Sequence, residues 1–208
     1  MLETEKKVLA TAAKAFAKRG YGGASIRQIC AEAGVSANAI HYHFGNKREL
    51  YRAVLASFGK EMLEPLKTIL RAPSSATEFH ERLQIYMEQA MRLFLSKRYA
   101  LEVLFSELAS PEADDDWEPP EGLMDQATIL NEYFSAAKDA GLLRDEVDIP
   151  TISGMLLERM ANQVRYSEML TRMFGADVES PDYLHKWIKD NLEIIMHGVK
   201  EYQDVSSH

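Results

Sequence analysis

Residues 25–50 read SIRQICAEAGVSANAIHYHFGNKREL, and three helix starts follow one another within this stretch. Ser25 precedes Gln28 by the three-residue spacing of a capping box, and Ile26, Ile29, Cys30 and Ala33 then recur at helical intervals. Gly34 stops that helix. Ser36 is placed to cap a second one, with Val35 and Ile40 spaced as a hydrophobic staple. Asn46 and Glu49 form a third box, which sets Lys47 in the first turn of the next helix. Two short helices joined by Ala33-Gly34-Val35-Ser36 predict a helix-turn-helix.

The second of these helices turns Ile40 and Phe44 inward, so Ala37, Asn38, His41 and Tyr42 share the opposite face. Their chemistry suits the edges of base pairs. An asparagine pairs bidentately with adenine and an alanine meets a thymine methyl, while histidine and tyrosine hydrogen-bond bases or phosphates from stiff side chains. At the same helical spacing as Ile26 and Ile29, Cys30 reads as a small core residue.

A net charge of −8 over 208 residues argues at first against a polyanionic partner. The distribution reverses that argument. Residues 1–60 carry ten Lys or Arg against four Glu, a surplus of six, which leaves −14 for the remainder. A basic amino-terminal segment on an acidic body is the asymmetry of a chain with one end facing nucleic acid, although an ordinary solvated helix face gives the same count. The 46% hydrophobic content is that of a globular chain, and no apolar run reaches the roughly 18 residues of a membrane span. With a single cysteine and no apolar leader, the expectation is a soluble cytoplasmic protein that makes no membrane contact.

Outward from the motif, apolar residues recur at three and four, so the fold class is all-α, with about nine helices. A first helix over about 4–19 buries Leu9, Ala12, Ala13 and Phe16 and closes at Gly20, with residues 21–24 as a turn. Later helices are expected over about 47–70, 77–97, 99–109, 122–140, 150–173 and 181–203. Pro65 should kink or end the fourth helix, and residues 110–122, with three aspartates and Pro119-Pro120, read as an exposed loop. The domain division is a helix-turn-helix domain over 1–46 and a helical body over 47–208, joined by the helix from residue 47.

The residues Ala33-Gly34-Val35-Ser36, Tyr42-His43-Phe44, Lys47 and Leu50, with the Ser25-Ile26-Arg27 start, resemble the TetR family of bacterial transcriptional regulators over about residues 5–55. Carried over position by position, the resemblance implies DNA contacts from Ser25, Arg27, Ala37, Asn38, His41, Tyr42, His43 and Lys47. Two positions depart from the family's habit, which commonly has tyrosine at the place of His41 and a small residue at that of Asn38. Both keep polar groups toward DNA, so DNA binding is still implied, although the operator sequence is not transferable from relatives. The resemblance further implies a homodimer and a regulatory body that binds a small apolar or aromatic effector, with no cofactor and no metal. It implies a repressor, released from a palindromic double-stranded DNA operator by that ligand.

For the dimer, one helix offers Met155, Leu156 and Met160 and the last offers Trp187, Ile188, Leu192, Ile195 and Met196, a stripe wide enough to meet more than one neighbour. For the ligand pocket, the middle helices supply Met62, Leu66, Ile85, Met87, Met91, Phe94, Leu104, Phe105, Met124 and Phe134, the adaptable Met and flat aromatics of an apolar site and equally of an ordinary core. An enzyme finds little support, with no glycine-rich phosphate loop, no His-Glu-x-x-His and scattered histidines. A helical interaction module, or a DNA-binding protein that answers to no ligand, is the alternative, and the salt dependence of duplex binding separates the first of these from a DNA reader.

Overall fold

A computed structural model of the chain describes residues 3–109 and 123–199, and leaves the side chains of Phe58, Lys60, Glu61, Met62 and Glu64 in the fourth helix, and of Leu123, undescribed. The expected 110–122 loop, the expected end of the last helix at 203 and the Met62 side chain therefore lie outside the described residues. Ten helices are assigned among those residues: α1 Glu3–Gly23, α2 Ile26–Ala33, α3 Ala37–Phe44, α4 Lys47–Ile69, α5 Ala76–Ser96, α6 Arg98–Ala109, α7 Leu123–Asp139, α8 Ile149–Arg165, α9 Ser167–Phe174 and α10 Pro181–Val199. The described residues hold no strand, and no helix among them is long and apolar enough to cross a membrane. The chain divides into two compact units, Met1–Leu63 with Ser96–Met124, and Glu64–Leu95 with Asp125–His208.

In the first unit, Val8, Leu9, Ala12, Ala13, Ala15 and Phe16 line the buried side of α1, which packs on α2 and α6. Ile29, Cys30 and Ala33 of α2 and Ile40 of α3 complete the core beneath the helix-turn-helix, and the Cys30 thiol is buried and unbridged. Gly20 breaks α1 as expected, at φ 67 and ψ 172, but Tyr21–Gly23 then form one more helical turn where an open turn was expected. Ala24 donates back to the Gly20 carbonyl at 3.3 Å and closes it. In α4, Tyr51 is buried against Phe16 and Tyr21 of α1, with ring centroids 5.0 and 5.1 Å away, and its hydroxyl donates to Glu107 of α6 at 2.7 Å.

Two expectations about boundaries are corrected. Pro65 does not end α4, which runs on to Ile69: buried Leu66 and Leu70 anchor the last turn, and Leu70 N–H reaches the Leu66 carbonyl at 2.8 Å. The single helix expected over 150–173 is two, parted at Tyr166, where the backbone leaves helical geometry at φ −94 and ψ 13. Val164 is the last buried residue before that break, and α9 buries no residue, so no core contact holds α9 on the axis of α8. With that division ten helices are assigned among the described residues, consistent with the expected number of about nine.

In the second unit, α5 buries Phe79, Leu83, Tyr86, Met87, Ala90, Met91 and Phe94 at spacings of three and four. Phe79, Tyr133 and Phe134 form an aromatic cluster with centroids 5.4 to 5.9 Å apart, and the Tyr133 hydroxyl donates to the Phe79 carbonyl at 2.7 Å. Burial pushes the Tyr133 and Tyr86 phenols well above the usual range. Arg82 closes the carboxyl end of α4 by donating to the Ile69 carbonyl at 2.9 Å, and the same guanidinium pairs with Glu78. Such pairing of a cation with the last carbonyls suits the negative end of the helix dipole.

Candidate nucleic-acid interface

The turn between α2 and α3 is built by caps at both of its ends. Ser25 Oγ accepts from the Gln28 amide at 3.3 Å, and Ser36 Oγ accepts from the Ala39 amide at 3.2 Å. Between them Gly34 takes a left-handed conformation, φ 67 and ψ 37, and its amide and that of Val35 return to the Cys30 carbonyl. A glycine adopts this geometry without the steric cost a Cβ brings. At the far end of α3, Asn46 Oδ1 accepts from the Glu49 amide at 3.0 Å and starts α4. The two boxes around α2 and α4 are half formed. Gln28 turns its side chain to Arg19 at 3.2 Å, and Glu49 turns to Arg52 at 3.3 Å.

These caps fix which side of α3 faces outward. Ile40 is fully buried, Phe44 is half-buried, and Ala37, Asn38, His41 and Tyr42 are exposed, Tyr42 to 86%. Four side chains at i, i+1, i+4 and i+5 form one continuous face. His41 is held from behind by a hydrogen bond between its Nδ1 and the Gly45 carbonyl. A carbonyl only accepts, so Nδ1 carries the proton and Nε2 is the acceptor when the ring is neutral. That nitrogen suits the amino groups of adenine or cytosine, and becomes a donor to phosphate or guanine when protonated.

The remaining candidates sit around this face differently. Arg27 is exposed on α2 and Ser25 is half-buried at its cap. His43 is half-buried and turns toward α1, its Nδ1 3.1 Å from a Glu5 carboxylate oxygen, with its ring edge-on to Tyr42 at 5.1 Å. It fastens the recognition helix to α1 and stiffens the Tyr42 ring. Lys47 lies with its ammonium 4.5 Å from the Tyr21 ring centroid and 3.5 Å from the Gly22 carbonyl, so the positive charge is parked where α1 ends and α4 begins. The Lys7 ammonium stands near Gly34, 3.6 Å from where a Cβ would project. Sequence reasoning missed Glu5, Tyr21 and Lys7, because these partners are separated by many residues from the groups they meet and leave no periodic trace.

Residues 8–54 match the family model of bacterial regulatory proteins of the tetR family. Among curated proteins, the HTH-type transcriptional repressor AcnR of Corynebacterium efficiens is 26% identical over 156 residues, 73% of this chain and 74% of that one. The HTH-type transcriptional regulator TtgR of Pseudomonas putida is 42% identical over 55 residues, 26% of each chain. The amino-terminal segment of the chain is thus similar to that of TetR-family transcriptional regulators. Its fold over nearly the whole length is that of the ketosteroid transcriptional regulator KstR2 of Mycobacterium tuberculosis, with a TM-score of 0.74 at 17% identity and 97% of both chains covered. The TetR-family regulator PfmR of Thermus thermophilus gives a TM-score of 0.71 at 19% identity, covering 97% of this chain and all of that one. With such relatives, the chain is a DNA-binding transcriptional regulator.

The body residues singled out from the sequence separate by burial. Leu66, Met87, Met91, Phe94 and Phe134 are buried in the second unit, while Leu104 is buried and Phe105 half-buried in the first. Ile85 and Met124 are exposed, to 46% and 59%, so neither is enclosed as a pocket wall. Of the residues expected at a dimer interface, Leu156, Met160, Trp187, Ile188 and Leu192 are buried within the single chain. Side-chain bonds link α8 and α10: Gln163 donates to the Tyr183 hydroxyl at 2.6 Å, and Arg159 bonds Asn191 and stacks over Trp187. Met155 remains exposed, Ile195 and Met196 are half-buried, and Ile194 is exposed to 65% beside them.

Proposed function

We propose that this regulator is a homodimeric repressor that acts in the cytoplasm, reads a palindromic operator with α3 and leaves it when a small apolar or aromatic molecule binds the body. The observation that carries the reading is the exposed face Ala37, Asn38, His41 and Tyr42, held rigid by caps on both sides. Arg27, Ser25 and Lys47 flank that face as backbone contacts, which position the helix without reading sequence. His43 acts through its grip on Glu5 and Tyr42 more than by touching DNA. Residues 1–46 form the reading domain, α4 connects it from residue 47, and the rest regulates and dimerises.

Two copies related by a dyad present two α3 helices to half-sites about one helical turn, roughly 34–36 Å, apart. The dimer face lies on α8 and α10 through Met155, Ile194, Ile195 and Met196. Effector binding falls among Leu66, Met87, Met91, Phe94 and Phe134 of the second unit, and it releases DNA only if the ligand prefers the non-binding state. AcnR of Corynebacterium efficiens is a repressor by name, which supports the sign of regulation.

Selection of genomic fragments by the purified protein tests the reading. Enrichment of an inverted repeat near its own or neighbouring promoters, and release of that fragment by an apolar compound, are the expected results. A selection without any common sequence contradicts it.

A further inference from the structure

Gly45 closes α3 on an unusual turn. Its backbone sits at φ 79 and ψ −77, and the Asn46 amide reaches across it to the Phe44 carbonyl at 3.0 Å. This is a γ-turn of the positive-φ form, which is rare and strained, and such strain concentrates at functional sites. The turn couples Gly45 to His41 twice. The Gly45 amide donates to the His41 carbonyl at 3.0 Å, and His41 Nδ1 donates to the Gly45 carbonyl. The second bond fixes the ring. With the proton held on Nδ1, the neutral imidazole leaves Nε2 as its acceptor on the exposed face of α3.

We propose that the Gly45 turn makes His41 a one-way reader, which accepts a hydrogen bond from the amino group of adenine or cytosine and rejects the oxygen of guanine or thymine in the same place. The inference rests on α3 being the recognition helix, and adds to that reading the class of one base. In the major groove adenine presents an amino group where guanine presents an oxygen, and cytosine presents one where thymine presents an oxygen. A transition at that base therefore sets two acceptors against each other. A phenol in the place of the imidazole would both donate and accept, and so tolerate either base. Gly45 acts through His41 and is the positioning residue. Glycine is needed there because a Cβ is strained at φ 79, although no described heavy atom lies within 4 Å of where it would project.

Two measurements on the full chain test this at about pH 8, above the ordinary imidazole range. Without DNA, the ring-nitrogen NMR shifts of His41 should place the proton on Nδ1 in the parent and divide it between the two nitrogens in Gly45→Ala. With DNA, fluorescence anisotropy compares the selected operator with single transitions of each base. One adenine or cytosine in each half-site should lose about tenfold in affinity on transition with the parent, and about twofold or less with His41→Tyr and with Gly45→Ala. Replacing that base by the analogue that lacks only the amino group, purine for adenine or 2-pyrimidinone for cytosine, should cost the parent about threefold to tenfold. A proton on Nε2, a guanine or thymine at the base that depends on His41, full affinity for the analogue, or unchanged discrimination in Gly45→Ala overturns the proposal. If Gly45→Ala unfolds, the parent's NMR shifts and the analogues decide. A chain that binds no duplex refutes the operator reading itself, whereas discrimination at every base that survives His41→Tyr refutes this inference alone.

Discussion

Removing one oxygen atom at Tyr51 isolates a buried hydrogen bond that ties α4 to α6. Tyr51 is 4% exposed and Glu107 2% exposed, and the phenol donates to the carboxylate at 2.7 Å. In Tyr51→Phe the ring keeps its edge contacts with Phe16 and Tyr21, so little packing is lost. The loss is one buried bond to a charge-bearing acceptor, which contributes about 1.5–3 kcal/mol once the stranded oxygen is included. For a chain of this size that lowers Tm by about 3–12 °C. Replacing the acceptor as well removes the stranded group, so Tyr51→Phe with Glu107→Leu should be less destabilised than the two single variants sum to, by at least about 1 kcal/mol. Thermal unfolding followed by circular dichroism gives all four corners of the cycle. A Tyr51→Phe protein melting within about 1 °C of the parent, or a strictly additive double variant, refutes the reasoning.

Gly34→Ala places a side chain at φ 67 with no heavy atom nearer than 3.6 Å, so the cost is backbone strain alone, about 1 kcal/mol in urea unfolding, and Gly34→Asn should cost less. Hydrogen bonds from the Ser74 hydroxyl and amide, with help from Arg82, hold Glu78 down at about 2 from 4.5. A carboxylate depressed in the folded state stabilises it above the unfolded pKa, and that contribution disappears as pH falls through the folded one. Acid unfolding of Glu78→Gln should therefore be flatter than that of the parent between about pH 5 and 2, and parallel curves would contradict the contact. Met155→Glu combined with Ile194→Glu should convert dimers to monomers by light scattering, whereas an unchanged mass removes α8 and α10 from the interface.

The reading head was legible because its determinants are local. Ser25, Gly34, Ser36 and Asn46 each act on an amide or carbonyl within five residues, and all four are found doing so. The second half of each capping box was not legible, since Arg19 and Arg52 compete for Gln28 and Glu49. Nothing in the run from Val164 to Ser167 announces the break at Tyr166, where neither glycine nor proline occurs. On α10 the width of the apolar stripe was visible, but not which partner covers it. Trp187, Ile188 and Leu192 are covered within the chain itself, and Ile194, outside the expected stripe, is the exposed one. Pairings across long separations, such as Glu5 with His43 and Lys47 with Tyr21, have no counterpart in periodicity.

The central claim is that α3 reads base pairs through Ala37, Asn38, His41 and Tyr42. It is tested most directly by fluorescence anisotropy of the full chain on its selected operator and on single-base variants of it. Log affinity should fall linearly with log salt, and Asn38→Ala should lose about 1–3 kcal/mol on the operator while becoming indifferent to the identity of one base pair in each half-site. Unaltered base preference in Asn38→Ala, His41→Ala and Tyr42→Ala alike, or no duplex binding at about 50 mM salt, would contradict it.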